Sequence, residues 1–448
     1  MERVLIGDLK DHIGKDVTIN GWVETTRDHG KVAFLVLKDR SGHVQAVASN
    51  DYNETALPET QELREQYAVA VTGEVKERPE KMRRDEINGD LEFGIKEVRV
   101  LSKAHELPFD MDADLNLDTL LDYRPLTIRT KKAQAIFKTQ ATIITAYREF
   151  LNQEGFTEFQ APKLVGGDAE GGAEVFPVEY FNEKTAYLAT SPQLYKQIMV
   201  GGFERAFTTG QMFRAEKSAT TRHLSEISML DFEMGFVKDH TDVMHMTQEL
   251  LRYITKKVEE ERMEDLKFMG VEAPKAPETF PVFTLREAQE LIKKETGEDK
   301  TDEPDLEPED ERFLCEYAHK NLNSDFVFVT HFPTSKRPFY TAKDPGNPEF
   351  TRSFDLLFRG LEMCSGGQRV HDYDELIERI KDKGLDPDKF HFYLQAFKYG
   401  MPPHGGIGMG LERLTAKFLN VTNIKEATLF PRDMNRIDTL LSQDESND

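Results

Sequence analysis

The chain has 448 residues, 38% of them hydrophobic, and a formal net charge of −23. That length exceeds what one hydrophobic core organises and supplies material for two, which excludes a small single-core module. Two cysteines, Cys315 and Cys364, cannot form a disulfide framework, no Cys/His spacing suggests zinc, and no apolar run approaches the roughly 18 residues that cross a membrane.

The first residues, MERVLIGDLKDHIG, lack a basic start followed by an apolar stretch, so the expected location is a reducing cytoplasm without membrane attachment. Residues 17–26, 31–39, 43–49, 67–75 and 93–102 are short alternating runs separated by Gly, Asp and Asn turns, with a helix-like stretch before the fourth. That pattern predicts a five-stranded OB-fold barrel over 1–104, a fold whose face stacks single-stranded nucleic acid on aromatics. A hinge is expected over 105–126, HELPFDMDADLNLDTLLDYRPL, where prolines and acids replace periodicity. Residues 132–153 then read as one amphipathic helix stopped near Gly155, and a helical region is expected at about 240–325.

The acid burden lies mainly in the C-terminal part, since residues 1–104 carry 16 basic against 20 acidic residues, a balance of −4. A local basic face can still bind RNA, and KERPEKMRR (76–84) is one candidate. The densest acid, nine residues of the fifteen in EDKTDEPDLEPEDER (298–312), reads as a surface loop.

Three segments carry chemistry. FRAEKSATTRHL (213–224) sets two arginines, a glutamate and a histidine around a polar hairpin tip, and guanidinium forks suit phosphate or carboxylate. FDLLFRGLEMCSGGQR (354–369) delivers Asp355, Glu362 and Ser365 along a strand-like run and then Arg369 after a Gly-Gly turn. Hard oxygen donors of that kind suit Mg²⁺ shared with nucleotide phosphates. GMGLERL (408–414) places Arg413 just inside a helix that starts behind glycines, where backbone can approach an anion.

In this order the three segments resemble motif 2, the strand before motif 3, and motif 3 of the class II aminoacyl-tRNA synthetases, most closely the aspartyl-tRNA synthetases of the archaeal and eukaryotic type. Further similar segments are 168–181, SPQLYKQ (191–197), RPFYT (337–341), FKYGMPPHGG (397–406) and LFPRD (429–433), so the likeness covers nearly the whole chain. It implies an α+β protein: the barrel as anticodon-binding domain, then at 127–448 a catalytic domain with an antiparallel sheet and flanking helices. Helix 132–153 resembles motif 1, through which such enzymes form homodimers.

The resemblance also implies roles. Arg214 would meet the α-phosphate and the substrate carboxylate, Arg413 the γ-phosphate of ATP, and Glu362 and Ser365, helped by Asp355, Mg²⁺. Glu216, Arg222, His223 and Leu224, with Gly410, Leu411 and Glu412 of motif 3, would complete the ATP site. Ser191, Gln193, Lys196 and Arg369 would surround L-aspartate, two cations favouring its carboxylate over an amide, while Glu170 and Asp231 would hold its α-ammonium. On the barrel, Phe34 would stack the middle anticodon base of tRNA-Asp, Gln45 would read it and Arg27 would lie near the backbone. Ile227 departs from the pattern, because related enzymes often place an aromatic ring there against adenine. Asparaginyl-tRNA synthetase and a catalytically inactive RNA-binding paralogue stand as alternatives, and charging of tRNA-Asn as well is left open.

Overall fold

The computed structural model describes residues 2–50, 55–84, 88–167, 174–218 and 220–441. Two compact units result, Met1–Ala113 and Asp114–Asp448. The boundary divides the expected hinge, and its second half is ordered: Leu117–Asp122 is a helix whose N-cap, Asn116, accepts from the Thr119 amide at 2.9 Å. Asp122 pairs with Arg436 at 2.6 Å. Polar residues that look like linker composition in the sequence are therefore a helix cap, Asn116, and ion-pair partners of Arg436, Asp118 and Asp122.

The first unit is a closed barrel. Its strands are β1 (Asp16–Asp28), β2 (Val32–Asp39), β3 (Gly42–Ser49), β4 (Ala68–Glu77) and β5 (Leu91–Ser102), with helix α1 (Ala56–Gln61) between β3 and β4. Neighbours run β1-β2-β3-β5-β4, and β1 pairs with β4 to close the ring. Of these five, only β3 and β5 pair in parallel, as Ala46 faces Phe93. Strict alternation on β2 sends Ala33, Leu35 and Leu37 into the core with Val44, Val71 and Phe93, all almost inaccessible.

In the second unit, helix α2 (Lys131–Gln153) starts where the Thr130 hydroxyl accepts from Ala133 and ends before Gly155, at φ +78°. After it come β6 (Thr157–Glu158), α3 (Gln193–Phe203), β7 (Arg205–Phe213), β8 (Glu226–Gly235) and the long α4 (His240–Phe268). Then follow β9 (Val282–Thr284), α5 (Leu285–Thr296), α6 (Pro308–Asn321), β10 (Phe326–Thr330), β11 (Ser353–Phe358), β12 (Glu362–Gln368), β13 (His404–Gly410) and α7 (Leu411–Phe418). The sheet order is β9-β10-β11-β12-β13-β8-β7-β6. Its six central strands are antiparallel, as the resemblance implies, but the short edge strands β9 and β6 pair in parallel. The helical region at 240–325 is tied into this body, because α4 contributes Leu250, Leu251, Ile254 and Val258 to the main core and β9 joins the sheet.

No helix among the described residues is long and apolar enough to cross a membrane. Both cysteines are free and buried, and burial pushes the Cys315 thiol up to about 12.

Phe93 is fully buried at the centre of the barrel core. Phe93→Ala is expected to cost the barrel about 3–5 kcal/mol and to expose residues 1–113 to limited proteolysis while the second unit resists. Equal protection of both units would show that the barrel does not rest on this ring.

Candidate active site

The central strands open onto a cavity of about 370 Å³. Most of the residues singled out in the sequence line it: Ser191, Gln193, Arg214, Glu216, Arg222, His223, Leu224, Asp231, Glu362, Ser365, Arg369, Gly410, Glu412 and Arg413. Lys196, Asp355 and Leu411 stand behind the wall, and Glu170 lies outside the described residues.

One end of the cavity rests on four buried charges. Lys196 Nζ lies 2.9 Å from Asp231 and 3.5 Å from Glu233, and donates to the Ile407 carbonyl at 2.7 Å. Arg369 donates to both Glu233 oxygens, at 2.7 and 3.3 Å, and to the Gly406 carbonyl at 2.8 Å. Burial pushes both acids up, but the two cations outweigh it at Glu233 and hold its carboxyl below the ordinary range, whereas Asp231 stays raised. Of the two cations expected around the substrate, Arg369 lines the cavity and Lys196 lies behind its wall. Lys196 is fully buried and orients Asp231 instead, its ammonium already satisfied by protein oxygens. Asp231 Oδ2 and Gln193 Nε2, both on cavity-lining residues, have no hydrogen-bond partner among the described residues, so an acceptor and a donor are left for a guest. Gly406 is required here, since a Cβ would stand 2.1 Å from the Phe232 carbonyl oxygen and 2.3 Å from Glu233 Oε2.

The other end is cationic. The loop joining β7 and β8 presents Arg214 beside Glu216 at 4.0 Å, and His223 Nε2 lies 3.6 Å from Glu216. The other ring nitrogen of His223 is 2.6 Å from the Thr220 hydroxyl. Arg413, on the first turn of α7, donates to the Glu362 carbonyl at 3.3 Å. Leu411 packs into the core, and buried Glu412 accepts from the Ser228 amide at 3.0 and 3.1 Å, bracing β8 against motif 3. Ile227 lines the cavity at the position where related enzymes often carry an aromatic ring.

Asp355 and Ser365 are register partners on β11 and β12, and the Ser365 hydroxyl donates to Glu362 at 2.7 Å. Arg337 holds one Asp355 oxygen at 2.7 Å and the other is buried without a partner among the described residues. Burial, aided by Glu362 and opposed by Arg337, pushes Asp355 up to about 6. Among the described residues no three His, Cys, Asp or Glu side chains form a metal cage. Two carboxylates and a hydroxyl fit Mg²⁺ only as a site completed by phosphate oxygens.

Sequence reasoning assigns no role to Arg337 or Glu233. Arg337 opens RPFYT, one of the segments that carry the resemblance, and Glu233 follows Asp231 by two on one strand, the spacing that puts both on one face. On the barrel, Phe34 and Gln45 are partly exposed, alternating with core residues, and Arg27 is exposed. Arg27 is the register partner of Phe34, while Gln45 opposes Val36 and so sits diagonal to Phe34. The Phe34 ring meets His29 edge-on at 5.9 Å. In the candidate basic segment, Arg78 is buried and Arg83 pairs with Glu77 at 3.2 Å.

A family model described as tRNA synthetases class II (D, K and N) matches residues 116–434, and one for an OB-fold nucleic acid binding domain matches 17–101. The chain is 45% identical over 439 residues to an aspartate--tRNA(Asp/Asn) ligase of Thermus thermophilus, covering 97% of this chain and 99% of that one. It is 39% identical to an aspartate--tRNA(Asp) ligase of Pyrococcus furiosus, covering 95% and 96%. Among solved structures it is similar to asparaginyl-tRNA synthetase of Pyrococcus horikoshii complexed with asparaginyl-adenylate, with TM-score 0.88, 34% identity and coverage of 98% and 99%. It is also similar to aspartyl tRNA synthetase of Entamoeba histolytica, with TM-score 0.86, 31% identity and coverage of 98% and 93%. The chain belongs to the class II aminoacyl-tRNA synthetases of the D, K and N group.

Proposed function

We infer that the chain is an aspartyl-tRNA synthetase, which joins L-aspartate to ATP as aspartyl-adenylate, with release of pyrophosphate, and transfers the aspartyl group to the 3′ end of tRNA-Asp. The observation that carries this reading is a cavity with a buried ion-pair cluster at one end and three arginines at the other, in a chain 45% identical to an aspartate--tRNA ligase. In the activation step the aspartate α-carboxylate oxygen attacks the α-phosphorus, and the bond to the β-phosphate bridging oxygen breaks. No protein nucleophile is needed, so the chain's contribution is positioning and charge stabilisation. Arg214 bridges the two reacting anions, Arg413 holds the outer phosphate, and Arg222 and His223 neutralise the rest. Asp231, fixed by Lys196, takes the α-ammonium on its free oxygen, and Arg369 faces the side-chain carboxylate with Gln193 beside it.

Glu362, Ser365 and Asp355 would hold Mg²⁺, which when bound draws negative charge from the phosphates. Two buried free cysteines suit a reducing cytoplasm. Homodimer formation is supported by a cavity of about 590 Å³ between α2 and the β7–β8 strands, lined by Gln140, Ile144 and Leu429 with Phe430, which is 55% exposed.

Pyrophosphate exchange with aspartate and asparagine side by side tests the reading: exchange with asparagine alone would replace it by asparaginyl-tRNA synthetase, and exchange with neither would favour the inactive RNA-binding paralogue. Charging of tRNA-Asp and tRNA-Asn transcripts in parallel decides between the two types of ligase found among the relatives.

Arg413→Ala and Glu362→Ala are each expected to lower aspartate activation by about tenfold or more, since each removes a charge facing ATP or its metal. Near-normal exchange in either variant would remove that residue from the site. Phe34→Ala is expected to leave adenylate formation unchanged and to lower transfer efficiency to tRNA about tenfold, as loss of a stacking face worth about 1–3 kcal/mol requires. Unimpaired charging would move the anticodon contact elsewhere on the barrel. Light scattering at micromolar concentration should give twice the chain mass of 51.4 kDa, and a monomeric mass would contradict the dimer.

A further inference from the structure

Glu362 follows a tight hairpin. Phe358 and Leu361 exchange backbone hydrogen bonds at 2.8 and 3.2 Å around Arg359 and Gly360, which both have positive φ. The register between β11 and β12 then slips: Leu357 faces Glu362 but Leu356 faces Cys364, leaving Met363 as an extra residue. Such a bulge re-aims side chains and costs a strand its regular ladder partners. Both polar groups of the Glu362 backbone are nonetheless bound, and neither by the sheet in the usual way. Its carbonyl accepts from Arg413 at 3.3 Å, and its amide donates to the Glu311 carboxylate at 3.1 Å.

Glu311 belongs to α6, outside every segment that resembles a synthetase motif, and it does not line the cavity. It lies in the acid-dense stretch expected to be a surface loop, yet its side chain turns inward. Its neighbour Asp310 is also buried, 2.9 Å from Lys300, so the stretch is a capped helix start whose acids are partly structural. Burial, with the Glu362 carboxylate nearby, pushes the Glu311 carboxyl up to about 7, opposed by the Glu362 amide and by Arg222 and Arg413, so it stands close to the phosphate end of the cavity.

We propose that Glu311 is a positioning residue for amino-acid activation, clamping the Glu362 amide so that the bulged strand presents the Glu362 carboxylate to the Mg²⁺–ATP site. The carbonyl side of the clamp is Arg413, so one residue's backbone is fixed between a helix remote from the motifs and motif 3 itself. The inference rests on the reading of Glu362 as a metal ligand given above.

The variants Glu311→Ala, Glu311→Asp and Glu311→Gln separate acceptor position from charge. The amide oxygen of Gln reaches the same place, whereas Asp keeps the charge but is one methylene too short. Hydrogen–deuterium exchange on the full-length protein, without nucleotide or metal, reads the clamp directly. Exchange at the Glu362 amide should rise at least about tenfold in the Ala and Asp variants and stay within about threefold of wild type in Gln. In pyrophosphate exchange, the Mg²⁺ concentration for half-maximal rate should rise about fivefold or more in Ala and Asp, with the aspartate KM within about twofold, and Gln should recover most of the loss. Protection and Mg²⁺ dependence unchanged in Asp, or lost equally in Gln and Ala, would overturn the proposal. If Ala does not fold, the contrast between Asp and Gln still separates acceptor position from charge. A Glu362→Ala enzyme with wild-type Mg²⁺ dependence would instead remove the metal reading, and this inference with it.

Discussion

The cluster of Lys196, Asp231, Glu233 and Arg369 is the constraint on which the rest of the second unit depends. Two cations and two anions with almost no solvent access survive only because each has an opposite charge at hydrogen-bond distance and further polar contacts from backbone carbonyls. Removing one partner from such a set commonly costs about 3–5 kcal/mol, while its assembly adds little net stability. What it supplies is orientation. The cluster ties α3, which carries Lys196, to β8, which carries both acids, and to the end of β12, where Arg369 follows. Those elements form the floor and one wall of the cavity. The absence of a Cβ at Gly406 is part of the same arrangement, because β13 must approach close enough for its carbonyls to complete the coordination of both cations.

This arrangement changes how selectivity for an acidic substrate is understood. Two free cations facing the ligand would suit any anion of the right size. Here Lys196 is bound to Asp231 and Glu233 takes one edge of Arg369, while Asp231 Oδ2 and Gln193 Nε2 are without a partner among the described residues. On the proposed reading the α-ammonium meets Asp231 and the side-chain carboxylate meets Arg369, where a neutral amide would pair less well with the guanidinium.

Much of this is legible in the sequence, and the failures have physical causes. Alternation identifies the barrel strands because period two places every second residue in a small closed core, and it places Phe34 on its strand without saying which face it occupies. The motif segments identify most of the cavity wall. The ion pairing of Lys196 is not legible in the sequence because its partner Asp231 comes from a strand 35 residues away, and pairing at that range leaves no local trace. The hinge and the acidic stretch are misread for one reason: composition cannot distinguish a solvated acid from one that caps a helix or meets a buried cation. For Glu311 a signal does exist. It lies three and four residues before Leu314 and Cys315, on the stripe of α6 that is buried, where a carboxylate is out of place unless something binds it.

The two ends of the cavity differ in rigidity as well as charge. At the amino-acid end the charges belong to strands and a helix, are desolvated, and cannot rearrange without unpairing. At the nucleotide end Arg214, Glu216 and His223 sit on a hairpin loop, are 36–40% exposed, and hold one another at 3.6–4.0 Å. Ion pairs that exposed and that loose are worth a fraction of a kcal/mol and are easily exchanged for a triphosphate. Such a division places discrimination where geometry is fixed and leaves the loop free to gather a large, highly charged ligand. Arg413 and Glu362 stand between the two regimes. They project from regular structure, but Glu362 follows a tight hairpin and opens into a bulge, so its placement depends on the contacts its backbone makes with Glu311 and Arg413.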